Sequence, residues 1–146
     1  MNEDEKWSSA AFCAHSDTLP PEQMEVIIGL PPTRSHRIGE PRSKRTNRGV
    51  HDRHYYSIQS KISGSEPLDK HIEEILSVLE PRIERVKHLA SEASLCLFCG
   101  FSSGNGQGGF VLSPSLLSRL APLGLEVVLD LYPPEGCHSH VSEETT

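Results

Sequence analysis

The sequence predicts an α+β fold, with a mostly antiparallel sheet that has three helices packed on one face. Apolar side chains recur at spacings of three and four from residue 72 to residue 93, and residues 95 to 101 form an apolar run of strand length. Residues 19 to 27 and 112 to 120 also share one pattern of leucine, proline and two further apolar positions. These observations indicate two weakly repeated strand-helix-strand halves around a long kinked helix.

The first half begins with a predicted strand at residues 7 to 16. Pro20 and Pro21 then favour the first turn of a short helix, because proline is pre-set to helical φ, and Gly29 is the expected end. Three segments follow: a polar strand at 34 to 40, an exposed loop at 41 to 50, and a strand rich in β-branched and aromatic residues at 54 to 62.

The long helix has the strongest periodic signal in the chain. Ser65 is a predicted N-cap, with Pro67 in the first turn. Pro81 has no N–H to donate to the Ser77 carbonyl, so we expect the helix to bend there.

The second half starts with residues 95 to 101, which are apolar at both alternating sets of positions and so predict a central strand covered on both faces. A glycine tract at 104 to 109 is expected to turn the chain back into a short strand at 110 to 112. A last strand is predicted at 125 to 132.

A helix is predicted between these strands, with Ser113 as its N-cap, Pro114 at its first position and Gly124 at its end. Its expected apolar face consists of Leu116, Leu117 and Leu120. Since the helices take one face of the sheet, the other face needs cover. The residues predicted on this second face are Cys96, Phe98, Glu126, Val128, Asp130 and Tyr132.

The chain of 146 residues has the size of one domain, predicted at 7 to 134 between disordered ends at 1 to 6 and 135 to 146. No apolar run approaches the length of a membrane span, and the first residues are acidic, so we expect a soluble cytoplasmic protein. Thiols stay reduced in that compartment. Four free thiols are therefore expected, at Cys13, Cys96, Cys99 and Cys137.

Charge is distributed unevenly along the chain. Residues 34 to 53 hold seven of the 14 Lys and Arg and two of the 20 Asp and Glu, a net charge of +5 that leaves −11 for the rest. Such a segment suits an acidic protein partner or the phosphates of a nucleic acid, or is simply solvated. Its basic residues are Arg34, Arg37, Arg42, Lys44, Arg45, Arg48 and Arg53, and Tyr55 and Tyr56 follow directly.

Other candidate sites have simpler interpretations. Cys96, Cys99 and Cys137, with His138 and His140, contain enough ligand types for zinc, but residues three apart on a strand point to opposite faces. We therefore predict two buried strand cysteines, no bound metal and no cofactor. His51 and His54 fit a solvated loop, with a metal ligand or general base as the alternative. The glycine tract leads into a strand instead of a helix, so a hairpin loop is favoured over a phosphate site.

Four motifs occur in order: Thr33-Arg34-Ser35-His36-Arg37-Ile38-Gly39-Glu40, Leu79-Glu80-Pro81-Arg82, Leu112-Ser113-Pro114 and Leu129-Asp130-Leu131-Tyr132-Pro133-Pro134. In this order and spacing they resemble the bacterial family of domain of unknown function 4279, over residues 8 to 134. The resemblance implies a compact α+β domain and no activity, cofactor or catalytic residue. The chain departs from it at Tyr55-Tyr56-Ser57-Ile58, where a tryptophan is expected.

The leading hypothesis is a non-enzymatic protein-binding module, with the narrower hypothesis, by analogy to other small single-domain families, of an immunity protein that neutralises a toxin. Arg42 to Arg48 would meet acidic groups, and Tyr55, Tyr56 and Tyr132 would be aromatic anchors. The first alternative is a nucleic-acid-binding protein that uses the same arginines. The second is a small metal-dependent enzyme built on the cysteines and nearby histidines.

Overall fold

The computed structural model describes residues 6–43, 49–104 and 108–132, and contains one five-stranded sheet. Its strands lie in the order β2-β3-β1-β4-β5, and all neighbours are antiparallel except β4 and β5, which are parallel. The predicted α+β fold with a mostly antiparallel sheet is confirmed. The strands are β1 (Lys6–Ser16), β2 (Arg34–His36), β3 (His54–Gln59), β4 (Ser94–Ser103) and β5 (Glu126–Tyr132).

The helices are α1 (Pro21–Ile28), α2 (Leu68–Leu79), α3 (Ile83–Ala90) and α4 (Pro114–Leu120). A 3₁₀ turn at Glu80–Arg82 joins α2 to α3, so the two form the predicted long helix with its bend at Pro81. The bend lies there because Pro81 lacks the N–H that an α-helix needs at that position.

Proline and glycine determine the ends of these helices largely as predicted. Gly29 follows α1 with φ of 81°, and its N–H donates to the Glu25 carbonyl at 2.7 Å. The Ser113 hydroxyl accepts from the Leu116 N–H at 3.1 Å and caps α4. The prediction that Ser65 caps the long helix is wrong, because α2 begins at Leu68 and the extended Pro67 occupies the N-cap position.

Three predicted strands are either absent or shorter than predicted by three residues or more. The strand predicted at 34 to 40 ends at His36, because the Gly39 N–H donates to the His51 carbonyl and the chain turns there. The strand predicted at 54 to 62 ends at Gln59. Residues 110 to 112 form no strand beside β4, because β4 already has β1 on one edge and β5 on the other.

The core lies between the four helices and one face of the sheet. Alternate residues of β1, namely Ala10, Phe12 and Ala14, point into it and are almost fully buried. On α4, Leu116 and Leu120 join the core, but Leu117 is exposed, so its predicted place on the apolar face is wrong.

The two halves repeat only in part. The unit β4-α4-β5 places its two strands side by side and parallel. Strands β1 and β2 are also parallel to each other, but β3 lies between them.

The predicted disordered ends lie outside the described residues, except Lys6, which begins β1. Among the described residues, no helix combines the length and the apolar composition that crossing a bilayer requires.

Candidate functional site

The face of the sheet that bears no helix is called the open face below. Side chains alternate along a strand, so the partners of the core residues on β1 point to this face. Ser9, Ala11 and Cys13 are small and lie at its middle, whereas the neighbouring strands contribute Tyr55 and Phe98. Small side chains between larger ones leave a depression of about 500 Å³.

An aromatic pair forms one wall of the depression. The indole of Trp7 meets the Tyr132 ring edge-on, with centroids 5.9 Å apart. The indole lies over Gly100 of β4, where a Cβ would be 3.0 Å from Trp7 Cζ3. Gly64 leaves similar room, because a Cβ there would be 2.5 Å from Trp7 Cδ1. Two glycines therefore determine how close the indole lies to the backbone.

A row of rings lies on the opposite side, where His15 and Tyr55 line the depression. His36 stacks on Tyr55 with centroids 4.9 Å apart, and His51 stacks on the other side of His36 at 3.4 Å. The ring of His15 lies beside the ring of Tyr55, with centroids 5.0 Å apart. The loop that contains His51 is therefore attached to the sheet by ring stacking.

Burial and charge act on the histidines of this row. Desolvation, followed by the neighbouring His51, lowers the pKa of His36 below its ordinary value of 6.5, although Glu40 partly offsets this. Within the described residues, the buried Nδ1 of His36 has no hydrogen-bond partner, so a proton placed there would have no acceptor. Desolvation and then Arg53 lower the pKa of His15.

These two histidines are expected to make the free energy of unfolding fall as the pH decreases from about 7 to about 5. Below the ordinary histidine pKa of 6.5 the unfolded chain takes up protons first, because the folded pKa values of His15 and His36 are lower, and this favours unfolding. Urea unfolding at several pH values in this range measures the loss. The His36→Gln variant should lose part of the dependence, and a slope equal to that of the wild type would contradict this assignment.

Two thiols meet a phenol at the floor of the depression. Cys13 and Cys96 lie directly opposite each other on β1 and β4, and Cys13 Sγ is 3.4 Å from Tyr55 Oη. Hydrogen bonding from Cys96, and then from Tyr55, outweighs burial and lowers the pKa of Cys13 to about 7. The same contact with Cys13 raises the pKa of Cys96, and burial raises that of Tyr55 to about 12.

Most of the described basic segment is neutralised by acidic residues of this chain. Arg37 forms an ion pair with Glu22 of α1. Arg42 pairs with Asp52 within the segment at 3.5 Å, and Arg53 pairs with Asp17, which follows β1, at 3.3 Å. Arg34 differs, because in the part of the chain that the structure describes it makes no ion pair, and it lines the depression.

A family model matches residues 5 to 134 and is described as a domain of unknown function, DUF4279. The chain belongs to this family. The match covers every strand and helix described above, and the predicted resemblance is confirmed. No curated protein and no solved structure matches the chain.

The predicted site residues of this DUF4279 domain fall into separate groups. Arg34, Tyr55 and Tyr132 lie on the open face. Tyr56 does not, because it points into the core, is fully buried and donates from Oη to the Leu30 carbonyl at 2.5 Å. Its predicted place beside Tyr55 on one surface is wrong, since successive strand residues face opposite ways. Lys44, Arg45 and Arg48 lie outside the described residues.

The cysteines of β4 are separated by the sheet of the DUF4279 domain. Cys99 is buried in the core, and Cys96 is half-buried on the open face, so the two cannot hold one ion. The expectation that both are buried, in a strand covered on both faces, is wrong, because the helices cover one face only. Cys137, His138 and His140 lie outside the described part, and the described residues contain no group of three potential metal ligands.

The loop histidines of the DUF4279 domain have structural contacts. His54 Nδ1 accepts from the Ile38 N–H at 3.3 Å, and His51 belongs to the ring row. Trp7, Cys13, His15 and His36 were not among the predicted site residues, although all four lie at the open face. The signal that could have found three of them is alternation: once β1 is assigned, its odd positions from 7 to 15 share one face.

Proposed function

We propose that this chain is a non-enzymatic protein-binding module whose binding surface is the open face of its sheet. The observation that supports the proposal is the depression on that face, with small side chains at its floor and aromatic side chains on its walls. An apolar side chain of a partner would enter it, and the flanking rings would supply contact area.

The apolar character of the open face extends beyond the depression. Val128 and Tyr132 of β5 and Trp7 of β1 are each more than a third exposed. Exposed apolar side chains on two strands, with Glu126 and Asp130 beside Val128 on the same face of β5, favour a macromolecular partner over a small ligand, which would be enclosed by its pocket. Protein interfaces have this composition, with aromatic residues at the middle and charges at the rim.

Arg34 supplies the charge at the rim of the open face. Its guanidinium has no carboxylate partner within the described residues, so a carboxylate on the partner would find it available. We therefore infer that the partner presents an acidic group beside its apolar anchor. Arg37, Arg42 and Arg53 already have carboxylates, which weakens the support for binding to the phosphates of a nucleic acid.

The proposal is tested with a charge reversal on the open face and a matched one elsewhere. The tagged wild type, Arg34→Glu and Arg85→Glu are used to purify partners from native cells after nuclease treatment. Arg85 is an exposed residue of α3, on the helical side of the sheet, and is therefore the control. We expect a stoichiometric protein whose affinity falls at least about tenfold with Arg34→Glu, because a repulsive charge replaces an attractive one.

The partner, once purified, is titrated against the wild type while tryptophan emission is recorded. Trp7 is the single tryptophan of the chain and lies on the open face, so binding there should change its emission. Equal affinity of the two charge-reversal variants, or no change in emission, would contradict the proposed surface. Identification of the protein tests the narrower hypothesis that it is a toxin. Material that disappears on nuclease treatment would instead favour the nucleic-acid hypothesis.

A further inference from the structure

The two cysteines on the open face lie directly opposite each other on neighbouring strands. Cys13 of β1 and Cys96 of β4 are directly opposed in an antiparallel pair, and both point away from the helices. Opposed residues of antiparallel strands have Cα atoms about 4.5–5.5 Å apart. Disulfide bonds span Cα distances of about 4.4–6.8 Å, so this pair lies within the range.

The backbone pattern shows which kind of opposed pair this is. The Ser60 N–H donates to the Ala10 carbonyl at 2.8 Å, so the even positions of β1 direct their backbone groups toward β3. The odd positions, including Cys13, therefore direct theirs toward β4. Cys13 and Cys96 form a hydrogen-bonded pair, whose Cα distance of about 5.5 Å is also a common one for disulfides.

The surroundings of the pair make one thiol the better nucleophile. Cys96 lies opposite Cys13 and the Tyr55 oxygen is 3.4 Å from the Cys13 sulfur, so both can donate a hydrogen bond to that sulfur when it is ionised. Both bonds stabilise the thiolate. Cys96 is half-buried and opens onto the depression, so a small oxidant can reach the pair from solvent.

We propose that Cys13 and Cys96 form a reversible disulfide bond across β1 and β4 when the protein meets hydrogen peroxide. The Cys13 thiolate attacks one peroxide oxygen, the O–O bond breaks, and a sulfenic acid and hydroxide result. The Cys96 sulfur then attacks the Cys13 sulfur, the S–O bond breaks, and water leaves with the proton of the thiol. Two thiols are oxidised and one peroxide is reduced to two waters, counting the proton released when Cys13 ionised.

The core cysteine provides an internal control. Cys99 is three residues from Cys96 but lies on the opposite face, where it is 1 % exposed and its pKa is raised to about 12 by burial. It should therefore neither ionise at neutral pH nor reach Cys13.

The test is peroxide treatment of the reduced full-length chain, followed by denaturation, alkylation of free thiols and mass spectrometry of the peptides. We expect the peptides that contain Cys13 and Cys96 to be linked, Cys99 to be alkylated, and dithiothreitol to restore both free thiols. Cys99→Ala should keep the link, whereas Cys96→Ser should leave Cys13 as a sulfenic or sulfinic acid.

Several outcomes would overturn the proposal. Both thiols could stay free at a peroxide concentration that oxidises a reference dithiol, or Cys13 could be linked to Cys137 instead. A link that forms equally with any other cysteine, as in the chain oxidised in urea, would show that the sheet does not select the pair. The wild-type measurement needs no variant, so the result does not depend on whether a cysteine substitution folds.

Discussion

Replacing Phe12 with alanine is expected to lower the free energy of unfolding by about 3–5 kcal/mol. Phe12 is fully buried at the middle of β1, the strand in the centre of the sheet. Its opposed residues are Ile58 on β3 and Leu97 on β4, so the ring contacts both neighbouring strands as well as the helices. Domains of this size are stabilised by about 5–15 kcal/mol, so the variant should lose a large part of its stability.

The measurement is urea unfolding followed by circular dichroism, with Val26→Ala as the control. Val26 lies on α1 and is 71 % exposed, so its truncation should change the free energy of unfolding by less than about 0.5 kcal/mol. A loss below about 1 kcal/mol for Phe12→Ala would contradict its position in the core. A similarly large loss in both variants would contradict the exposure of Val26 on α1.

Replacing Gly64 with alanine should displace Trp7 and cost about 1–3 kcal/mol of stability. A Cβ at Gly64 would be 2.5 Å from Trp7 Cδ1 and 2.8 Å from Nε1, closer than such atoms can approach. The backbone cannot easily retreat, because the Gly64 carbonyl accepts from the Ser8 N–H at 2.9 Å. The indole must therefore rotate, and it would lose its edge-on contact with Tyr132.

Tryptophan fluorescence checks this prediction directly, because Trp7 is the single tryptophan. We expect a shift of the emission maximum in Gly64→Ala and none in Gly109→Ala, where a Cβ would meet nothing within 4 Å. If the emission spectra of both variants matched that of the wild type, the close packing of Trp7 on Gly64 would be wrong. Partner affinity should fall with the emission shift if the indole belongs to the binding surface.

Local signals were sufficient for most elements of the fold. The bend at Pro81 and the end of α1 at Gly29 follow from the backbone chemistry of single residues, which acts regardless of the tertiary structure. The failures depend on pairing. Residues 110 to 112 have the composition of a strand, but whether they pair is decided by β5, which already occupies the adjacent edge of β4.

The candidate site was predictable only in part, for the same reason. Charge and aromatic content predict Arg34 and Tyr55, but the same composition also includes Tyr56, which alternation along the strand turns into the core. The opposition of Cys13 and Cys96 depends on the register between strands that are far apart in sequence. No local pattern specifies that register, since it results from the packing of the whole sheet.

The position of β1 also has a consequence for synthesis of the protein. β1 is the first of the described strands, yet it lies at the centre of the sheet between β3 and β4. One edge of β1 therefore stays unpaired until β3 has been synthesised, and the other edge stays unpaired until β4 has been synthesised. A nascent chain of this topology exposes the apolar residues of β1 before either neighbouring strand has been made, and chaperones that bind extended apolar segments would reach β1 before β3 and β4 do.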